Sequence, residues 1–207
     1  KNYNFGFFEP YEVGKKNIAE VLEGHTDSLL LTIGFPYIVP KSVFSKHPMA
    51  LNVHPTLLPK YRGAMSGAYV LINNEKYSGS TVHIMTDEAD KGAIVSQIKV
   101  ELSPFDTLRS MQRKVYSLES RLIFDSISKL EEGIKPKDQD ENLSSMYPKL
   151  RTPEDSVIDP SKPLIELIDQ IRATDFDEFP PFFYYHGEKV NVKLWRDYNS
   201  ANDEDEI

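Results

Sequence analysis

The 207-residue chain carries 24 basic residues, 32 acidic residues and no cysteine. The absence of cysteine excludes disulfides, thiolate zinc sites and cysteine nucleophiles. A formal net charge of −8 at pH 7 argues against a large nucleic-acid surface, and no apolar run approaches the ~18 residues that span a bilayer. We therefore expect a cytoplasmic protein that contacts neither nucleic acid nor a membrane, with one good-sized core or two modest ones.

The first part of the chain alternates predicted helices and strands. We predict a loop over 1–14, a helix over 15–23, a strand over 29–33, a short helix over 41–45 and a strand that ends at Asn52. The run over 29–33 is continuously apolar, which is typical of a strand buried on both faces. The polar residues that follow each strand are the first candidates for a site.

The second part begins with a predicted helix over 66–73 and strands over 80–85 and 93–100. A long helix follows, with Ser103 expected as its N-cap and Pro104 in its first turn. Beyond this helix the pattern predicts a linker, a helix capped by Ser161 and a hairpin that turns at 186–188.

This order of elements predicts an α/β fold with a Rossmann-like, mainly parallel sheet covered by helices. We divide the chain into a core over 1–132, a linker over 133–150, a small C-terminal helix-plus-hairpin unit over 151–199 and an acidic tail over 200–207.

The most informative stretch runs from Asn52 to Gly63. Asn52 and His54 project to the same side because side chains alternate along a strand. The loop that follows is stiffened by two prolines and carries Lys60, Tyr61 and Arg62, which suits an anionic ligand. An isolated Asn-x-His at a strand end also occurs simply to satisfy a turn, so further residues must decide between the two interpretations.

Asp90-Lys91-Gly92, which follows the next strand, favours a functional site over a simple turn. The stretch Asn52-Val53-His54-Pro55-Thr56-Leu57-Leu58-Pro59-Lys60-Tyr61-Arg62-Gly63, followed by Asp90-Lys91-Gly92, resembles the formyltransferases that use 10-formyltetrahydrofolate. That family includes methionyl-tRNA formyltransferase, glycinamide ribonucleotide transformylase and the sugar N-formyltransferases. Its fold opens with a β–α unit that has no counterpart before Leu29.

The resemblance implies catalytic roles for Asn52, His54 and Asp90. Formyl transfer to an amine passes through a tetrahedral oxyanion, to which the Asn52 amide and a His54 N–H would donate. Asp90 would raise the pKa of His54 and orient its ring. The alternative interpretation of Asp90 is a turn carboxylate before Gly92.

The resemblance also implies binding residues but no metal. The folate co-substrate would lie between two segments, Phe35, Pro36, Tyr37, Ile38 and Val39 on one side and Thr86, Asp87, Glu88 and Ala89 on the other. The first segment can equally be an ordinary turn between a strand and a helix. Lys60, Tyr61 and Arg62 would contact phosphates of the acceptor.

For the acceptor, the residues after 150 look most like sugar N-formyltransferases, notably Arg151-Thr152-Pro153-Glu154-Asp155. That branch implies a nucleotide-linked amino deoxysugar as the small-molecule acceptor, as in lipopolysaccharide O-antigen biosynthesis, and is compatible with a homodimer. The alternatives are a methionyl-tRNA formyltransferase and a catalytically silent folate-binding relative.

Overall fold

The computed structural model describes Gly6, residues 18–147 and residues 152–194. The predictions for the remainder of 1–14, for the first residues of the helix over 15–23 and for the acidic tail over 200–207 lie outside these described residues.

A four-stranded sheet forms the centre of the described fold. Its strands are β1 (Leu30–Ile33), β2 (Ala50–His54), β3 (Tyr77–Ile84) and β4 (Ile94–Glu101), and they lie in that order. The predicted α/β class is confirmed, but the sheet is mixed: β1 and β2 are parallel, whereas β3 is antiparallel to both β2 and β4. The connection 85–93 is too short for the crossover that parallel neighbours need, so β4 must run back along β3.

Five helices surround or follow this sheet in the described residues. They are α1 (Ile18–Leu22), α2 (Lys41–Phe44), α3 (Gly67–Ile72), α4 (Leu108–Glu131) and α5 (Leu164–Arg172). The chain then forms the predicted hairpin, with strands β5 (Phe182–Tyr185) and β6 (Glu188–Asn191). Among the described helices, none has the length and apolar character that crossing a membrane requires.

The sheet buries a different set of side chains on each face. Leu51 and Val53 of β2 pack with Val82 beneath α4, whereas Ala50 packs with Leu30, α1 and α2 on the opposite face. Because side chains alternate along β2, Asn52 and His54 share the face of Ala50. Asn52 and His54 therefore lie on the face of the sheet opposite α4.

The start of α4 differs from the prediction. Thr107, not Ser103, is the N-cap: its Oγ1 accepts from the Ser110 N–H, and the Ser110 hydroxyl accepts in return from the Thr107 N–H. Ser103 instead donates its N–H to the buried Asp106 carboxylate. A reciprocal pair satisfies two of the unpaired N–H groups at the helix start, which a single Ser-Pro cap cannot do.

The N-cap prediction for α5 is also corrected. Pro163 precedes the helix, and the Ser161 hydroxyl donates to Asp159 rather than capping a helical N–H. Arg172, at the end of α5, is 1% exposed and donates to the Asp106 carbonyl beside the start of α4. The C-terminal unit is therefore hydrogen-bonded directly to the core.

The described part of the segment predicted as a linker lies on the surface and is hydrogen-bonded to the unit that precedes it. Lys137 and Ile94 exchange backbone hydrogen bonds of 2.8 and 2.7 Å, and Tyr147 donates its N–H to the Arg62 carbonyl at 2.8 Å. The segment thus pairs first with β4 at Lys137 and then, over 145–147, with the loop that follows β2, where both sides supply unpaired backbone groups.

Candidate active site

Asn52 lies at the centre of a polar cluster on β2. Its Oδ1 accepts from the Thr32 hydroxyl at 2.7 Å. Its Nδ2 lies 3.1 Å from Nε2 of His83 and 3.5 Å from Oδ1 of Asp90. The contact with Thr32 fixes the amide so that the nitrogen, which donates, faces the imidazole and the carboxylate.

His54, two residues along β2, is 5% exposed. Its Nε2 lies 2.8 Å from the Tyr61 carbonyl, which accepts only, so the neutral ring carries its proton on Nε2. Nδ1 then holds the free lone pair and faces Oδ1 of Asp90 at 3.5 Å. His54 is therefore arranged to take up a proton at Nδ1, next to an anion.

Burial lowers the pKa of His54, and this effect exceeds the raising effects of Asp90 and the Tyr61 carbonyl. Asp90 thus acts on the pKa of His54 in the expected direction, but burial outweighs it. A lowered pKa keeps His54 neutral near pH 7, which suits a general base. The neutral ring has no second N–H for an oxyanion, because its one N–H is used by Tyr61.

Asp90 approaches all of these groups from the loop after β3. Its Oδ2 accepts from the Gly63 N–H at 2.8 Å. Burial raises its pKa, but the contact with His83, the charge of His54 and the Gly63 amide together lower it to about 2. Asp90 also has a φ of 58°, in the left-handed region that costs a non-glycine residue energy and that is enriched at functional sites.

His83 is a member of the cluster to which the sequence assigned no role. It lies directly opposite Asn52 in the antiparallel register of β2 and β3 and is 2% exposed. Its Nδ1 donates to the Ile84 carbonyl, so the neutral ring accepts from Asn52 at Nε2. The sequence shows that His83 lies on the strand before Asp90. It does not show the strand register, which pairs His83 with Asn52.

The cluster forms one wall of a cavity of about 1070 Å³. Eight of the nine residues predicted to contact folate line this cavity: Phe35, Pro36, Tyr37, Ile38, Val39, Thr86, Glu88 and Ala89. Asp87 is the exception, because its carboxylate turns outward to pair with Lys41 at 2.6 Å. The two predicted segments thus do flank a common space beside Asn52.

Lys60, Tyr61 and Arg62 do not line the cavity, so the structure does not bring these three predicted substrate-binding residues to it. Lys60 pairs with Glu75 at 3.0 Å, and the Tyr61 hydroxyl donates to the same carboxylate at 2.9 Å. The guanidinium of Arg62 is 2% exposed and donates to Gln139 and Glu141. Their polar groups are directed to the protein itself.

A further wall of the cavity comes from residues to which the sequence assigned no binding role. These residues belong to the loop before α3, to α4 and to the C-terminal unit: Met65, Gln112, Tyr116, Ser156, Thr174, Asp175, Glu178 and Phe179. Within the described part of the chain, the lining contains carboxylates but no lysine or arginine. Nor do the described residues contain a group of three or more acidic or histidine side chains that could hold a metal ion.

Comparison with known proteins places these features in a family. The family model described as formyl transferase matches residues 1–127. A methionyl-tRNA formyltransferase from Thermotoga maritima is 31% identical over 191 residues, which are 91% of this chain and 60% of that protein. The chain therefore spans less than two thirds of the length of this curated relative.

Solved structures show the same fold. A 4-N formyltransferase from Francisella tularensis superimposes with a TM-score of 0.74 at 26% identity, over 87% of this chain and 74% of that one. A sugar N-formyltransferase from a Shewanella species gives a TM-score of 0.73 at 23% identity, over 90% of this chain and 76% of that one. With the family model matching more than half of its residues, the chain belongs to the formyl transferase family.

Proposed function

We propose that this protein transfers a formyl group from 10-formyltetrahydrofolate to an amine. The observation that carries the proposal is the convergence of Asn52, His54 and Asp90, with Asp90 Oδ1 3.5 Å from both the Asn52 amide and the His54 ring. A hydrogen-bond donor, a neutral base and a buried anion at one cavity wall are the groups that acyl transfer to nitrogen needs.

Each side chain has a separate task in this proposal. 10-Formyltetrahydrofolate supplies the formyl group. The amine nitrogen first bonds to the formyl carbon, which gives a tetrahedral oxyanion, and the bond from that carbon to the folate nitrogen then breaks. Asn52 Nδ2 donates one of its two hydrogens to the formyl oxygen as negative charge develops on it, in place of its 3.5 Å contact with Asp90. His54 takes the proton lost by the amine at Nδ1, and Asp90 stabilises the imidazolium so formed. The proton then passes to the leaving folate nitrogen.

The folate would occupy the part of the cavity between the segments 35–39 and 86–90. This part combines aromatic and aliphatic side chains with the exposed backbone of two loops, which suits a flat, partly polar ring. Phe44 and Met85 extend its apolar surface. The remaining lining, from α4 and the C-terminal unit, is left for the acceptor.

For the acceptor we propose a nucleotide-linked amino deoxysugar. The cavity lining contains Asp175 and Glu178 but, in the described residues, no lysine or arginine. The amino sugar would therefore enter the cavity and the diphosphate would stay outside it. Solved structures with this fold include a sugar N-formyltransferase. The net charge of −8 is unfavourable for binding the many phosphates of a tRNA.

One observation favours a second acceptor. The Thermotoga maritima relative at 31% identity is a methionyl-tRNA formyltransferase. Under this alternative the methionine attached to the tRNA would enter the same cavity, and the tRNA itself would remain outside it.

The two acceptors can be separated in one assay. The protein is incubated with 10-formyltetrahydrofolate and either charged initiator tRNA or a panel of 3-amino and 4-amino deoxysugars on nucleoside diphosphates, and products are weighed by mass spectrometry. A gain of one formyl group on a sugar supports the proposal. Formylation of the tRNA with no sugar product would replace it with the second candidate, and folate binding without any transfer would indicate the silent relative.

A further inference from the structure

Gln139 makes four side-chain hydrogen bonds beside the candidate active site, although it belongs to no part of the recognised motif. Its Nε2 donates to the carbonyls of Asp90 and Gly92, both at 2.7 Å. Its Oε1 accepts from Nε and Nη2 of Arg62 at 3.1 and 2.7 Å. Both amide hydrogens and the amide oxygen are therefore used, and a carboxylate could not make the first two bonds.

Asp90 needs external support for its backbone. Its φ of 58° is unfavourable for a residue with a side chain and persists only where surrounding contacts enforce it. Two residues later, a Cβ on Gly92 would lie 1.7 Å from the Ile84 carbonyl oxygen, so this turn also presses against β3. The Gln139 amide holds the two carbonyls that set the orientation of the turn.

Gln139 also joins this turn to the loop after β2. Arg62 is 2% exposed and, besides Gln139, donates to Glu141 at 2.9 and 2.7 Å. The next residue, Gly63, donates its N–H to the Asp90 carboxylate at 2.8 Å. A ring of contacts thus runs from Asp90 through Gln139 and Arg62 to Gly63 and back to Asp90.

We propose that Gln139 is a positioning residue for formyl transfer, whose amide links Arg62 to the Asp90 turn and so holds the Asp90 carboxylate against Asn52 and His54. The catalytic part of this inference rests on the proposed function. The effect of Gln139 on the position of Asp90 can be tested by a measurement that needs no enzymatic activity. It also gives the buried Arg62 a structural role in place of the phosphate contact expected from the sequence.

The test compares Gln139→Met with the wild-type protein. Methionine keeps the length of the side chain and adds no charge, but it removes both donors. We expect kcat to fall by about 100-fold, as for a catalytic group displaced by about 1 Å, while KM for 10-formyltetrahydrofolate changes much less. Asn142→Ala, an exposed residue of the same segment whose side chain donates to Asp140 and to no other described residue, is the matched control and should keep the wild-type kcat.

A second readout follows the His54 ring by NMR through a pH titration. Asp90 acts to raise the pKa of His54, so moving it away should shift the His54 titration to lower pH in Gln139→Met. A merely structural role would reduce the folded fraction without moving this titration. Gln139→Glu, which keeps an acceptor for Arg62, replaces the methionine variant in the rate assay if that variant does not fold.

The outcomes separate the two proposals. If the wild-type protein formylates no acceptor, the proposed function fails, and the His54 titration still tests the position of Asp90. Folded Gln139 variants with wild-type kcat and an unshifted His54 titration would overturn the role of Gln139 and leave the proposed function intact.

Discussion

Nδ1 of His54, the last residue of β2, lies 3.5 Å from Oδ1 of Asp90, which belongs to the loop between β3 and β4. The Nε2–H of His54 donates to the Tyr61 carbonyl. Asp90 therefore faces Nδ1, the ring nitrogen that can still accept a proton. The pair therefore has a neutral base beside a permanent anion, because burial lowers the pKa of the imidazole and surrounding donors hold the pKa of the carboxyl at about 2.

Replacement of His54 by asparagine should reduce turnover and spare folate binding. Loss of a general base lowers kcat by about 10²–10⁴-fold, whereas the segments 35–39 and 86–90 that flank the proposed folate site remain. Turnover measured beside calorimetric titration with folate checks this expectation. A collapse of folate affinity together with the rate would show that His54 is a binding or structural residue.

The pH dependence of kcat/KM should report the lowered pKa of His54. A general base must be neutral, so activity rises with pH through the His54 pKa and is constant above it. Because burial lowers this pKa from 6.5, the midpoint of the acidic limb is expected below pH 6.5. A limb centred above that value would assign the base to another group.

Asp90→Asn should lose stability in a defined pH range. The folded-state pKa of about 2 lies below the ordinary value of 3.8, so the carboxylate stabilises the fold fully above pH 3.8, and this contribution is lost as the pH falls through about 2. The shift corresponds to about 2 kcal/mol in the free energy of unfolding.

Denaturant unfolding between pH 2 and pH 7 measures this difference. The gap between wild type and Asp90→Asn should be largest near pH 7 and should close toward pH 2. Asp125→Asn, which removes a carboxylate that is 60% exposed on α4, serves as the control. A gap independent of pH would mean that Asp90 contributes through packing or hydrogen bonds rather than through its charge.

Glu119→Gln should gain stability relative to wild type as the pH rises above 4.5. Glu119 is 8% exposed on α4, and its burial raises its pKa in spite of a hydrogen bond with Ser80. The folded protein then retains a proton that the unfolded chain releases, so the stability of the wild type falls with rising pH between the two pKa values. Glutamine does not titrate, and unfolding of both proteins from pH 4 to pH 8 compares them. A constant difference across this range would contradict the raised pKa.

Gly92→Ala should destabilise the fold by about 1–3 kcal/mol, as overpacking does elsewhere. The added Cβ would lie 1.7 Å from the Ile84 carbonyl oxygen, which belongs to the backbone of β3 and has little freedom to move. Gly24→Ala is a matched control, since no atom of the described residues lies within 4 Å of its added Cβ. Equal thermal stability of the two variants would show that the turn after Asp90 relaxes at no cost.

Local patterns in the sequence were sufficient for the α/β class, most element positions and the shared side of Asn52 and His54. Alternation along a strand places Asn52 and His54 on one side whatever the rest of the chain does. Asp90 could be connected to them only through the family resemblance. The caps of α4 and α5 were misplaced because several Ser, Thr and Pro residues compete at each helix start, and packing chooses among them.

Other features depend on contacts between distant segments, which no local pattern encodes. His83 joins the cluster because the antiparallel register sets it opposite Asn52, and register is determined by which faces are buried. Arg62 is directed to Gln139 rather than to a phosphate because residues 137–147 pack along its loop. The direction of the pKa shift of His54 follows from the balance between its burial and the charge of Asp90, and both arise only when the chain has folded around the ring.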